Sequence, residues 1–353
     1  LSYLALIWQV AFVLIVLSLV WMATLVLLRI VRTQKKAYFS HLRQKITEAM
    51  AAILWDETGQ AVIDDRSLWK SQMVPEVFLD FVALVRGEER DRLVRRLERN
   101  RVDDDMRRLL RHPRKFVRFA ALEALAYFPG LPTAKSVDSL IERSLSPELR
   151  VAGMRTLVEI KSYPAVPDVM AEITKLNGGS RSLHAVLSKL ALHRLRDVLA
   201  YLDRPDITDI ERAALLRALG SSADYAVMDR LTYALEHGSA MIRAAALEGL
   251  ARLEHPEAAP SIARCLKDDD WSVRAGAVRA LREMSFDGYA DDIAALLSDP
   301  AWMVQFEAAQ ALSNMGATGR NLLEVSARAI GNETANRTAS LALAELSAAE
   351  ALQ

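Results

Sequence analysis

The chain has 353 residues, 52% of them hydrophobic, with 45 basic and 45 acidic residues and a formal net charge of zero. A neutral balance argues against a dedicated nucleic-acid binder, which carries a basic footprint over its domain, so no nucleic-acid partner is expected. The length exceeds what one compact core needs and suits an elongated array.

Residues 1–28 contain no charged side chain. As a helix they would span about 42 Å, more than the roughly 30 Å of a bilayer's hydrocarbon core. Tyr3, Trp8 and Trp21 are available as interface anchors, and Gln9 as an amide able to bond across helices. Arg29, Arg32, Lys35 and Lys36 follow, all before the first acid, Glu48. Positive charge beside a span stays on the cytoplasmic side. The sequence therefore predicts a transmembrane helix over 1–31, single-pass in the inner (cytoplasmic) membrane, with the amino terminus outside and the remainder in the cytosol. The flanking cations would also attract anionic lipid headgroups. Phe39, Leu42, Ile46, Met50 and Ile53 recur at helical spacing, so the helix is expected to reach about Trp55 with an apolar stripe docked against something.

Residues 32–110 read as a basic helical adaptor. From Arg29 to Arg118 there are 21 Lys/Arg against 14 Asp/Glu, a net of +7. Residues 56–67 break the helical pattern and read as a loop. Pro75 sits early in the next helix, where its missing N–H costs little. Asp103, Asp104 and Asp105 place acids at a helix start, which the helix dipole favours.

Residues 111–353 carry a repeat. Residues 273–281 read VRAGAVRAL, 242–250 read IRAAALEGL and 304–312 read VQFEAAQAL. The leading positions fall at Val117, Leu149, Ser180, Ile210, Ile242, Val273, Val304 and Ala335, in steps of about 31 residues. A second apolar helix follows each motif, and turn residues such as His237-Gly238 and Asp299-Pro300 mark the joints. A hairpin of this size cannot bury its own apolar face, and stacking on its neighbours makes the core continuous.

The V-R-x-x-A-hydrophobic-x-x-L helix after an acidic turn resembles HEAT repeats of the short, phycobilisome-lyase-like type, over about residues 111–349. The resemblance implies an all-α fold: a right-handed α-solenoid of about eight helical hairpins, here preceded by the membrane helix. It also implies that Arg118, Arg150, Arg181, Arg243 and Arg274 form a ladder with acids of neighbouring turns. Glu211 and Gln305 depart from the motif, so the ladder should weaken there. Asn336 and Thr338 make the last copy more polar, as a terminal cap requires.

No reaction centre is legible. Glu236-His237 and Glu254-His255 reverse the His-Glu order of the HEAT-like metal hydroxylases and fall in turns, so neither a metal nor a cofactor is expected. Cys265, the single cysteine, reads as a small buried hydrophobe. Arg107, Arg108, Arg111, Arg114, Lys115 and Arg118 form the candidate patch for an anionic ligand or partner, with a solvated and partly laddered face as the plainer reading. Trp271 and Trp302 stand two residues before Val273 and Val304. They read as plugs of the inter-repeat core, with a recognition pair as the alternative. The expected function is a non-enzymatic membrane-tethered scaffold that binds partner proteins, an integral membrane protein among them, as an accessory subunit of an inner-membrane complex for glycan synthesis or export. The alternatives are a bilin-lyase-like or hydroxylase-like enzyme and a receptor for an anionic ligand.

Overall fold

The computed structural model describes residues 2–55, 66–329 and 332–351; the side chains of 1–16, 23, 28, 30–33, 35–37 and 349–351 lie outside that description. The described residues form helices joined by turns, with no strand, in two compact units, 1–161 and 162–353. The division falls inside the stretch that the sequence reads as one array.

The first unit contains α1 (Ser2–Trp55), α2 (Arg66–Trp69), α3 (Val74–Leu84), α4 (Glu88–Arg99), α5 (Val102–Leu109), α6 (Lys115–Leu125), α7 (Leu131–Arg143) and α8 (Pro147–Glu159). The apolar stripe at the carboxy-terminal end of α1 docks as its spacing demands. Ile46, Met50 and Ile53 are buried in one core with Trp69, Phe78, Leu93 and Phe128. Arg96 of α4 donates to the carbonyls of Ile53 and Leu54, which have no acceptor use inside the helix that ends there. Arg43 ties the same segment to Glu76 and Asp80 of α3. In α5 the acids of the first turn and the arginines of the last follow the helix dipole.

The predicted anchor is not supported. Among the described residues no helix is long and apolar enough to cross a membrane. Helix α1 instead runs unbroken from the apolar stretch through the cationic one and into the core of the first unit. The single-pass topology, outside amino terminus and cytosolic placement are therefore withdrawn. Expectations of lipid headgroups and a membrane-embedded partner rested on that anchor. Of the proposed flank, Arg29 is exposed, while the side chains of Arg32, Lys35 and Lys36 lie outside the described residues, as do those of Tyr3, Trp8 and Gln9.

The second unit contains α9 (Val166–Lys175), α10 (Arg181–His193), α11 (Leu195–Leu202), α12 (Asp209–Leu219), α13 (Met228–His237), α14 (Ala240–Leu253), α15 (Ala259–Arg264), α16 (Trp271–Glu283), α17 (Ala290–Ala295), α18 (Trp302–Asn314), α19 (Gly316–Arg328) and α20 (Glu333–Ala351). The motif helices pack in a row, α10 on α12, α12 on α14, α14 on α16, α16 on α18 and α18 on α20. Helices α13, α15 and α17 form an outer row, each against the motif helix that follows it. The motif alanines explain the close spacing. Ala213, Ala214, Ala245, Ala246, Ala277 and Ala308 are all buried, and each lets a neighbouring helix approach without leaving a void.

Candidate functional site

Each motif helix starts from a residue that caps or turns the chain, and the fourth residue after that cap does a repeated job. After Ser146, Ser239 and Asp270 these residues are Arg150, Arg243 and Arg274. Each donates through Nη1 to a carbonyl of the preceding turn: Ser144 at 2.8 Å, Gly238 at 2.9 Å and Asp268 at 2.7 Å. After Ser180 the residue is His184, which bonds to the Gly178 backbone; burial, ahead of the charge of Arg217, holds its pKa down. After Ala301 it is Gln305, which donates to the Asp299 carbonyl at 2.6 Å. Glutamine keeps the backbone contact that arginine makes.

Two of these arginines also chelate the acid that stands two residues before the next cap. Arg243 donates from Nε and Nη2 to Asp268 at 2.8 and 2.6 Å, and Arg274 to Asp299 at 2.7 and 2.8 Å. Such forked pairs are the strong kind of ion pair. Both acids serve twice, since Asp268 also accepts from the Asp270 N–H and Asp299 from the Ala301 N–H. The ladder thus joins α14 and α16 each to the turn that launches the next motif helix.

The rung on α12 has no acid in that place. The fourth residue after Thr208, the cap of α12, is Arg212, not Glu211 as the sequence register had it. Glu211 instead closes a capping box with Thr208 and accepts from the Tyr201 hydroxyl at 3.1 Å. Two residues before Ser239, the cap of α14, stands His237 where the later rungs have Asp268 and Asp299. Among the described residues the Arg212 guanidinium donates one hydrogen bond, to the Leu202 carbonyl at 3.4 Å, and has no carboxylate partner. It lines a cavity of about 600 Å³ together with Arg230, Tyr233, His237, Ser239 and Ile242.

The exposed face of the motif helices forms a second concavity of about 540 Å³, between α14, α16 and α18. Its floor is small, with Ala244, Ala275 and Gly276. Trp271 and Met303 rise at one end, Glu248 and Arg279 at the other. A second charge ladder, unread in the sequence, crosses these helices. Arg217 bonds to Glu248 at 2.9 Å, and Arg279 and Arg282 lie 2.6 and 3.1 Å from the buried Glu307. The 31-residue spacing of 217, 248 and 279 was the available signal for it.

Trp271 and Trp302 do not plug the core. They are 49% and 66% exposed, and Trp302 stacks on Phe306, itself 40% exposed. They stand at the first position of α16 and α18, two residues before the buried Val273 and Val304 and so about 200° around the helix from them, and face solvent. Phe306 completes the aromatic group and was missed, because position 306 is read from the motif as an ordinary solvated site.

The predicted basic patch is largely spoken for within the first unit. Arg107 bonds to Asp103 at 2.6 Å and to Asp104, Arg108 to Asp105 at 2.5 Å, and Lys115 to Glu148 at 3.0 Å. Arg114 reaches only the Gln72 amide oxygen, at 3.4 Å, and Arg111 is exposed. Arg118 turns inward, its Nε buried without a hydrogen-bond partner among the described residues. Of the histidines once weighed as ligands, His237 stacks on Tyr233 at 4.2 Å, and His255 accepts from the Glu257 N–H. Among the described residues no group of three or more His, Cys, Asp or Glu is placed to hold a metal ion. Cys265 is buried, and burial pushes its thiol up to about 11.

Paired helices stacked in register, with an arginine–aspartate ladder along one edge, define a helical-repeat solenoid. In agreement, the family profile for HEAT repeats matches residues 195–282 and, overlapping, 259–344. A search of the curated proteins finds no relative that matches. Among solved structures, human deoxyhypusine hydroxylase is 17% identical, with a TM-score of 0.29, over 70% of this chain and 96% of its own. The CpcE–CpcF phycocyanin lyase complex of Nostoc sp. PCC7120 is 17% identical, with a TM-score of 0.35, over 69% and 94%. The karyopherin Kap121p, bound to the extreme carboxy terminus of the phosphatase Cdc14p, is 12% identical, with a TM-score of 0.39, over 88% of this chain and 42% of its own.

Proposed function

We propose that this chain is a non-enzymatic interaction scaffold, an accessory subunit whose α14–α16–α18 face holds a segment of a partner protein. The observation that carries this reading is the exposed Trp271, which lines a floor of alanine and glycine together with Met303, and the exposed stacked pair Trp302 and Phe306 on the next motif helix. Large exposed aromatics over small residues are what a protein interface uses as anchors, and tryptophan is the commonest hot-spot residue. The floor admits a bulky apolar side chain between helices. The flanking charges, Glu248, Arg252, Arg279 and Glu283, are of both signs and would set its register rather than its affinity.

The chain isolated gently from its native cells is expected to retain a stoichiometric protein partner. A Trp271→Ala, Trp302→Ala, Phe306→Ala variant should lose that partner, with affinity falling about 30-fold or more, while its melting temperature stays within about 2 °C because the three side chains face solvent. Recovery of the chain alone at native expression, or a variant that keeps its partner, would sink the reading.

A further inference from the structure

We infer that the cavity at Arg212 is a carboxylate-binding site, in which a ligand supplies the acid that this rung of the ladder lacks. In the two complete rungs the guanidinium uses Nη1 for a carbonyl and offers the Nε–Nη2 fork to a carboxylate from the next turn. Arg212 occupies the same place on α12, and the residue in the acid's place is His237. The fork therefore has no carboxylate to chelate among the described residues, and Arg212 lines an opening of about 600 Å³.

The surrounding charges narrow the ligand class. Arg230 is held by Asp203 and Arg204 by Asp206, while Asp209 accepts from Ser239 at 2.8 Å. Arg212 is thus the guanidinium left without a carboxylate among those lining the cavity. One carboxylate group fills its Nε–Nη2 fork. A phosphate dianion would meet the carboxylates of Asp203 and Asp209 on the same walls. A planar carboxylate also matches the fork that chelates Asp268 and Asp299 two and three helices along. The stacked rings of Tyr233 and His237, with Leu216, Ala234 and Ile242, give an apolar wall for whatever bears the carboxylate. Such an acid can come from a free small molecule or from a side chain of a protein. The cavity lies at the ladder edge and does not involve Trp271, Trp302 or Phe306, so the inference stands apart from the scaffold reading.

Two probes test it on the full chain, each against its neutral isostere. Benzoate is compared with benzamide, and a blocked pentapeptide bearing a central glutamate with its glutamine counterpart. Binding is followed by calorimetry and by the NMR signals of Tyr233 and His237. Benzoate or the acidic peptide is expected to bind saturably while its amide does not, and whichever binds tighter identifies the source. Arg212→Gln should weaken that binding about tenfold or more. Glutamine is tolerated at this place, as Gln305 shows on α18. His237→Asp should complete the rung from within the chain, raising the melting temperature by about 2–4 °C and abolishing carboxylate binding. The inference is overturned by failure of both acids to bind the native chain, by equal binding of the amides, or by binding that survives Arg212→Gln.

Discussion

Replacing Asp299 by alanine is expected to destabilise the carboxy-terminal unit by about 3–5 kcal/mol, because it leaves a charged partner stranded. The Asp299 side chain is 4% exposed and that of Arg274 14% exposed, so neither group can recover its lost bonds from bulk water. The acid holds Arg274 by two hydrogen bonds and also accepts from the Ala301 N–H at the start of α18. One substitution therefore breaks a rung and loosens a helix start. Chemical denaturation of the variant should show the loss in midpoint with little change in slope.

The same rung gives acid sensitivity. Burial pushes the Asp299 pKa up, but the bonds from Arg274, the Ala301 N–H and the guanidinium charge outweigh it and leave the pKa lowered. Bonds from the Ser272 side chain and backbone lower Asp270 as well. A group with a depressed folded pKa contributes stability that is complete above its unfolded value and is lost as pH falls through the folded one. The melting temperature should stay level from neutral pH down to about 5 and drop once pH falls below about 4. Calorimetry of Asp299→Asn should show a shallower drop. An equal drop would remove the rung as its source.

Gly220→Ala is the second large effect. Gly220 ends α12 and Gly249 lies in α14, and there the two backbones meet. A Cβ on Gly220 would stand 2.2 Å from the Gly249 carbonyl oxygen and 2.9 Å from its Cα. Neither atom belongs to a flexible side chain, so the helices themselves must part. Overpacking of this kind costs about 1–3 kcal/mol or more, and the upper end is expected because the obstacle is backbone. Gly288→Ala, where nothing lies within 4 Å, is the matched control and should change stability by less than about 0.5 kcal/mol. A Gly220→Ala variant that melts with the native chain would show that α12 and α14 have slack that their packing denies.

How much of this was legible can be judged from particular residues. The period of about 31 placed the motif helices, and their starts at Ser146, Ser180 and Ser239 fall where short polar residues precede apolar runs. The arginine ladder was legible at Arg243 and Arg274 and out of register in two copies, while Arg118 carries a buried Nε with no hydrogen-bond partner among the described residues. After Ser180 the fourth place belongs to His184 and not to Arg181. Counting from Ile210 gave the rung to Glu211, whereas the cap at Thr208 gives it to Arg212. A slip of one residue turns a side chain by about 100° around a helix, enough to move it from the ladder edge to another face. The membrane anchor failed differently. An uncharged run is only a candidate span, and the helix that carries this one continues through charged residues into a folded core.

By itself the sequence determined that the chain is helical and that its motif helices recur about every 31 residues, because these follow from local spacing. Tertiary structure alone decided which cations are already paired, that Trp271, Trp302 and Phe306 face outward, and that Arg212 meets a histidine instead of an acid. The pairings of Arg243, Arg274, Arg217 and Lys115 join groups 25 to 33 residues apart, brought together by the stacking of one hairpin on the next. No local pattern encodes such a meeting until the register of both helices is set.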